Sequence, residues 1–477
     1  MAAMENNSTI GAIECLNNDC LREIFYHLPI IDLLQMEKGN MRFFQSPFHL
    51  TFPSIRCAVC KRWTYVAQDS WGRITGADFY DFLQEDDDTL DEEIIQNVWK
   101  RFAMRITGVE LDITCRTFDL DAFFPACCKI KSLRWELPDE EWWITTLSRC
   151  IEKLENLDLT ISPDQDFIPN IGVDPFFTAF VGLLQEAKLE NLKNFRLNVK
   201  HTNCTDKILE IVDRLPRHLK SLKIINTCIF SCKLLSEILE KFTQLEYLSL
   251  STGIFRPQIN LENTRVFLPR TLKYLCIDKL TFNSLCYDFI CNLTALEGVR
   301  LVGGEMTHEG LIKVAKYCEN LKSIDLTKVD GLNETAFTIA LPIMKKLETL
   351  KFREFSDIEG RFFRDLLGLK DVHIAKCFNV LPVNICDLLH TSKDLSRIVY
   401  QCPSSEARML IETAIQCCVD RAPDNFLNFI IKGVFTDCDK FDDFYPCLKV
   451  RIITDHSVPH NFSHINEHYN EGNEYYV

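Results

Sequence analysis

The sequence predicts an α/β solenoid, and three observations carry that prediction. One apolar triplet recurs twelve times at near-constant spacing. The segments between triplets carry apolar residues at the three-to-four spacing of amphipathic helices. The 477 residues are 47% hydrophobic, so a continuous core can be buried along most of the chain. Length alone allows about three ordinary domains or one long array, and the fixed period selects the array.

The triplet reads apolar, two residues, apolar, one residue, apolar. It occurs at Ile106/Val109/Leu111, Ile130/Leu133/Trp135, Leu154/Leu157/Leu159, Leu192/Phe195/Leu197, Leu219/Leu222/Ile224 and Leu245/Leu248/Leu250. It continues at Leu272/Leu275/Ile277, Leu296/Val299/Leu301, Leu321/Ile324/Leu326, Leu347/Leu350/Phe352, Leu369/Val372/Ile374 and Leu395/Ile398/Tyr400. Successive starts lie 22 to 27 residues apart, except for one step of 38. That period falls within the window of about 20 to 29 residues for leucine-rich repeats. The last two residues of each triplet, two positions apart, face inward from a short parallel strand, and the return segment packs behind them.

Each element follows from this frame. Residues 206–215 and 310–318 predict helices on the return path, with Thr205 and Thr307 as N-caps. The 38-residue step from Leu154 to Leu192 reads as a loop containing Ser162-Pro-Asp-Gln-Asp and Pro175-Phe-Phe, followed by an ordinary helix. Only Cys377 occupies the position where many such repeats place an Asn or Cys ladder residue, so the array, residues 101–454, is an irregular one of about twelve repeats bent into a horseshoe. Residues 1–12 and 455–477 read as flexible ends, and residues 76–100, with Glu85-Asp-Asp-Asp88 and Asp91-Glu-Glu93, as a solvated acidic linker.

On each strand, the residues flanking the inward pair point to the opposite, concave face, and the core does not dictate their identity. Arg196, Lys223, Arg300, Lys351, Arg353 and Arg397 stand there against Asp278, Asp325 and Asp371, with Tyr247, Tyr274 and His373 in the same rows. Earlier strands place Glu110, Asp112 and Asp158 there. A mildly basic central face with tyrosines suits a protein segment carrying acidic or phosphorylated residues. The candidate target-binding set is Arg196, Lys223, Tyr247, Tyr274, Arg300, Lys351, Arg353 and His373.

Composition narrows the function. The net charge of −15 argues against non-specific attraction to nucleic acid or anionic membranes. The sequence holds no apolar run of membrane-spanning length and no secretory signal at its start, so the expectation is an intracellular protein, in cytoplasm or nucleus. Its 22 cysteines then read as reduced, buried hydrophobes. Enzyme chemistry finds no phosphate-binding glycine loop, nucleophile elbow or His-Glu-x-x-His, and no cofactor is expected. Cys57-Ala-Val-Cys60 lacks a second pair at zinc-finger spacing. His456, His460, His464 and His468 recur every four residues, but Pro459 breaks the helix that would align them.

Residues 13–75 do not keep the period. The run Leu16-Asn-Asn-Asp-Cys-Leu-Arg-Glu-Ile-Phe-Tyr-His-Leu28, then Pro29-Ile-Ile-Asp-Leu33, then Val59-Cys-Lys-Arg-Trp63, Ala67 and Trp71 resembles the F-box, a small all-α module. An F-box followed by leucine-rich repeats resembles the substrate receptors of SCF-type ubiquitin ligases. The resemblance implies that Leu16, Leu21, Ile24, Phe25, Leu28, Leu33, Val59 and Trp63 bind an adaptor of the SKP family and, through it, a cullin scaffold. It also implies a target protein on the repeats, with catalysis left to other subunits. The alternative is a leucine-rich-repeat scaffold or inhibitor that acts without a ligase, its N-terminal helices only capping the array.

The chain departs from the F-box pattern in two places. Leu16 is followed by Asn17 where the family has Pro, and Asn17 can cap the first helix instead. Gly39 through Ala58 separate two segments that the family joins directly. Gly39-Asn40-Met41 can be encoded with a splice-donor-like GTAAT, and Cys57-Ala58-Val59 with an acceptor-like CAG. The insert therefore reads either as a retained 60-nucleotide intron or as a genuine loop.

Overall fold

The computed structural model describes residues 19–20, 22, 76–78, 103, 106–111, 120–137, 142–161, 173–199, 205–227, 232–252, 258–259, 269–278, 281–282, 290–401, 404–418, 426–433 and 448–454. They belong to two compact units, residues 1–255 and 256–477. Of residues 13–75, read above as resembling an F-box, only Asp19, Cys20 and Arg22 are described, in a helix where the Arg22 guanidinium donates to Asp19 at 2.8 Å. The eight expected adaptor-binding residues, the 39–58 insert and the C-terminal histidines lie outside the described residues.

The first unit is a ladder of parallel strands in chain order: β1 (Gly76–Asp78), β2 (Gly108–Leu111), β3 (Ser132–Leu137), β4 (Asn156–Ile161), β5 (Asn194–Val199), β6 (Ser221–Thr227) and β7 (Tyr247–Thr252). Among the described residues, five helices return the chain: α1 (Leu120–Ala126), α2 (Trp142–Ser148), α3 (Val173–Glu186), α4 (Thr205–Arg214) and α5 (Cys232–Lys241). A parallel neighbour requires such a crossover, because the chain must return to the same end of the sheet. Buried and part-exposed residues alternate along β3 and β4, so one sheet face is core and the other is not. The core is aromatic: the Trp143 ring on α2 lies 6.2 Å from Phe180 on α3, which stacks 6.4 Å from Phe195 on β5.

The second unit repeats the plan with β9 (Tyr274–Asp278), β11 (Gly298–Val302), β12 (Ser323–Thr327), β13 (Thr349–Arg353), β14 (Asp371–Ala375), β15 (Arg397–Gln401), β16 (Leu427–Gly433) and β17 (Leu448–Thr454). A separate parallel pair joins β8 (Gln258–Ile259) to β10 (Thr281–Phe282). The described helices are α6 (His308–Tyr317), α7 (Glu334–Ala340), α8 (Pro382–Thr391) and α9 (Ser404–Cys418). The Thr307 hydroxyl accepts from the Gly310 N–H at 3.1 Å and caps α6, and Asn333 caps α7 through the Ala336 N–H at 3.2 Å. Phe337 on α7 packs its ring 5.4 Å from Phe362 and 6.3 Å from Phe352, tying helix to strand.

Each expected triplet sits on a strand or just before it, and all three apolar positions of all twelve are buried. The register aligns them within each unit: Leu133 opposes Val109 and Leu157, and Ile324 opposes Val299 and Leu350. Besides the separate β8/β10 pair, three described strands exceed the twelve triplets. β1 falls at the start of the stretch read as an acidic linker, whose remaining residues are not described. β16 and β17 follow the last triplet, and their signal was in the sequence at Phe426/Phe429/Ile431 and Cys447/Val450/Ile452.

Two local expectations change. Pro175-Phe-Phe lies in the first turn of α3 rather than in a loop, since the N–H groups there have no intrahelical acceptor and Pro loses nothing. Thr205 begins α4 as its first residue. The 22-residue step from Leu347 to Leu369, the shortest, has room only for a 3-10 turn at Arg361–Asp365 in place of a helix. Six described cysteines are buried: Cys127, Cys150, Cys291, Cys318, Cys377 and Cys418. Burial pushes the thiols of Cys127, Cys150 and Cys318 up to about 12 and that of Cys377 up to about 11, which keeps them protonated. Among the described residues, no helix is long and apolar enough to cross a membrane.

Candidate protein-binding face

Alternation along the strands builds the candidate face. Once the second and third triplet residues turn inward, the residues before, between and after them must turn outward. All eight expected target-binding residues do so. Arg196, Lys223 and Tyr247 lie on β5, β6 and β7 of the first unit; Tyr274, Arg300, Lys351, Arg353 and His373 lie on β9, β11, β13 and β14 of the second. Register brings Arg196 opposite Lys223, and Lys351 opposite His373.

In the first unit the central row is a ladder of alternating charge. The Arg134 guanidinium pairs with Glu110 at 2.9 Å and Asp158 at 3.5 Å, and Arg196 pairs with Asp158 at 3.0 Å. Arg196 is therefore satisfied by its neighbour strand, and this part of the face is less basic than expected. Arg134 was missed because an isolated Arg carries no signal, although it stands four residues after Ile130, as Arg196 stands four after Leu192.

A second ladder marks the strand starts. The carbonyl of the residue after the first triplet position accepts from two N–H groups at the start of the next strand, as that of Lys131 does from Glu155 (2.7 Å) and Asn156 (2.9 Å). Its side chain pairs across: Lys131 and Lys193 both reach Glu155, at 2.7 and 2.6 Å, and in the second unit Lys322 reaches Glu297 (2.8 Å) and Lys370 reaches Glu348 (2.9 Å). Hydrogen bonds from Lys131 and Lys193 hold the Glu155 carboxyl down to about 2, and that from Lys322 lowers Glu297. This row fixes register and lies beside the candidate face.

The second unit gathers the more basic cluster. Arg300, Asp325 and Lys351 stand directly opposite one another on β11, β12 and β13, with Arg353 one outward position further along. The Arg300 guanidinium comes within 3.6 Å of Asp325. Burial raises the Asp325 carboxyl, against the opposing pull of Arg300, Lys351, the Thr327 hydroxyl and Arg353. Three cations against one carboxylate leave an excess of positive charge over β11 to β13. Asp278 on β9 and Asp371 on β14 confine it to those strands. Beside it, one edge of the Tyr274 ring lies against Gly298 on the next strand, where a Cβ would meet Tyr274 Cδ1 at 2.6 Å and Cε1 at 3.0 Å.

The strands, crossovers and register thus define a solenoid of leucine-rich-repeat type whose outward strand face carries charge and aromatic surface that the core does not require. No protein-family model and no curated protein matches the chain. Among solved structures, it is similar to a chain of the Rad7 and Elc1 complex in yeast, at 14% identity and a TM-score of 0.47, covering 82% of this chain and 94% of that one. An internalin (inlF) from Listeria monocytogenes matches at 13% identity and a TM-score of 0.37, covering 61% of this chain and 80% of that one. A chain of a TLR13–ssRNA13 complex matches at 16% identity and a TM-score of 0.37, covering 76% of this chain and 52% of that one. At these similarities none of the three bears on what this chain does.

Proposed function

We propose that the chain is the substrate-recognition subunit of an SCF-type ubiquitin ligase. Residues 13–75 hold a SKP-family adaptor, and through it a cullin, while the outward strand face takes a target protein. The subunit itself is non-catalytic and works in the cytoplasm or nucleus. The observation that carries this reading is the string Val59-Cys-Lys-Arg-Trp63, following the Leu16 to Leu33 anchors and preceding a solenoid. A module of this size has too little core to satisfy all its apolar residues alone, so a partner that completes it is the physical counterpart of the resemblance.

The test is adaptor capture by the full chain. Each large side chain removed from a packed contact costs about 2 to 5 kcal/mol. Leu28→Ala with Trp63→Ala is therefore expected to abolish capture while the repeats melt as in the unaltered chain. Wild-type capture by that variant would remove the F-box reading. The insert at 39–58 favours a second reading, because it separates the two halves of the adaptor-binding set. If neither the full chain nor a chain lacking those residues captures the adaptor, the protein is a leucine-rich-repeat scaffold without a ligase.

A further inference from the structure

We propose that Cys417 is a thiolation site. Its sulfur, with His390 as proton carrier, exchanges with small-molecule disulfides and keeps one half of the reagent as a mixed disulfide. The proposal stands apart from the reading of the strand face, because this site lies between two return helices of the second unit, α8 and α9.

The seam between those helices holds the pair in place. The Cys386 thiol hydrogen-bonds the Thr413 hydroxyl at 3.4 Å, and Cys417 Sγ lies 3.3 Å from His390 Nδ1. On each helix the second residue follows the first by four, so both contacts face the same seam, one turn apart. The residues beside the pair anchor it: Leu389 and Cys418 are buried, and the Ser392 hydroxyl donates to the Leu366 carbonyl just past the end of α8. The pair itself stays open to a reagent, with His390 exposed and Cys417 part-exposed.

What the sulfur faces sets Cys417 apart from the buried thiols. Cys150, Cys318 and Cys377 donate to main-chain carbonyls at 3.5, 3.6 and 3.3 Å, and burial keeps them protonated. A carbonyl takes no proton, and the free main-chain groups in the last turn of α9 are carbonyls, which do not steady an anion. An imidazole does take a proton. A thiol within hydrogen-bond reach of such a base is an activated nucleophile. In the exchange, the Cys417 S–H proton passes to His390 Nδ1 and the thiolate attacks one sulfur of the disulfide. The reagent's S–S bond breaks as the new one forms, and the leaving thiolate takes the proton from Nδ1. Cys417 is oxidised and the departing half of the reagent is reduced to a thiol, so no further oxidant is needed.

The experiment exposes the full chain to glutathione disulfide at neutral pH and follows each of its 22 cysteines by peptide mass spectrometry. An unassisted thiol is only a few per cent thiolate there, so Cys417 in the folded chain is expected to react about tenfold faster than in the same chain unfolded by guanidinium, where the seam is gone. His390→Ala is expected to bring the rate down to the unfolded one with an unchanged melting temperature, and free imidazole to restore part of it. His390→Asn, which hydrogen-bonds but carries no proton, is expected to behave as His390→Ala does. A folded rate at or below the unfolded one overturns the proposal, and this comparison uses the unaltered chain, so it decides even if a variant melts early. A rate unchanged in both His390 variants, or a loss that imidazole does not restore, overturns it as well.

Discussion

Glu155 shows how one residue couples neighbouring repeats. Its carboxylate lies between the ammonium groups of Lys131 and Lys193, whose hydrogen bonds bring it from an ordinary value of 4.5 to about 2. A carboxyl lowered on folding contributes stability above its unfolded value and loses it as pH falls through the folded one. The melting-temperature difference between wild type and Glu155→Gln is thus expected to be full at neutral pH, to shrink below about 4.5 and to vanish near 2. The effect is small and weakens with salt, because the group is partly exposed. A difference that widened toward acid would show that the lysines do not hold this carboxylate. The sequence shows Lys and Glu after the first triplet position in most repeats, but only the parallel register makes them neighbours.

At the scale of elements, Glu334 joins two of them. It follows the Asn333 cap at the start of α7, and in the sequence it looks like an ordinary acidic first-turn residue that complements the helix dipole. In the fold its carboxylate accepts from the N–H groups of Glu359 (2.8 Å), Gly360 (3.0 Å) and Arg361 (2.6 Å), where the following repeat begins its 3-10 turn. Gly360, at φ 87°, supplies the left-handed turn that points those groups at it. Each hydrogen bond to a charged group contributes about 1.5 to 3 kcal/mol, less when partly exposed. Glu334→Ala is expected to destabilise by about 2 to 4 kcal/mol in chemical denaturation, and Glu334→Gln, with one acceptor oxygen, by less. Equal stability of all three proteins would show that water serves these N–H groups as well. The 22-residue repeat can dispense with its helix because this clamp and the Phe337, Phe352, Phe362 and Phe363 cluster hold the return segment.

At the scale of the whole molecule, adaptor and target binding are assigned to different stretches of chain, and the 39–58 insert bears on the first alone. Most transcripts are expected to lack the 60 nucleotides that encode it, and the shorter protein is expected to capture the adaptor more strongly, because the Asp32–Leu33 and Val59–Trp63 segments regain the shorter spacing that the F-box resemblance implies. Sequencing reads that uniformly retain the segment, with equal capture by both forms, would make it a genuine loop. Target binding is expected to be the same for both forms, since none of the eight candidate residues lies near the insert in sequence.

The sequence by itself determined the period, the inward-facing triplets and the face on which each strand residue lies, because a two-residue alternation locked to a buried pair leaves no freedom. It also placed the cap at Thr307 and the buried ladder thiol of Cys377. Tertiary structure alone decided which outward residues meet. Arg196 reads as a free cation in one dimension and is half of an ion pair with Asp158 in three. Gly298 reads as a weak point in a strand and leaves room for one edge of the Tyr274 ring. The physical reason is that inward identity is dictated by solvent exclusion within one repeat, which a linear pattern records. Outward chemistry depends on side chains about 25 residues apart that only parallel pairing brings to within about 4.8 Å.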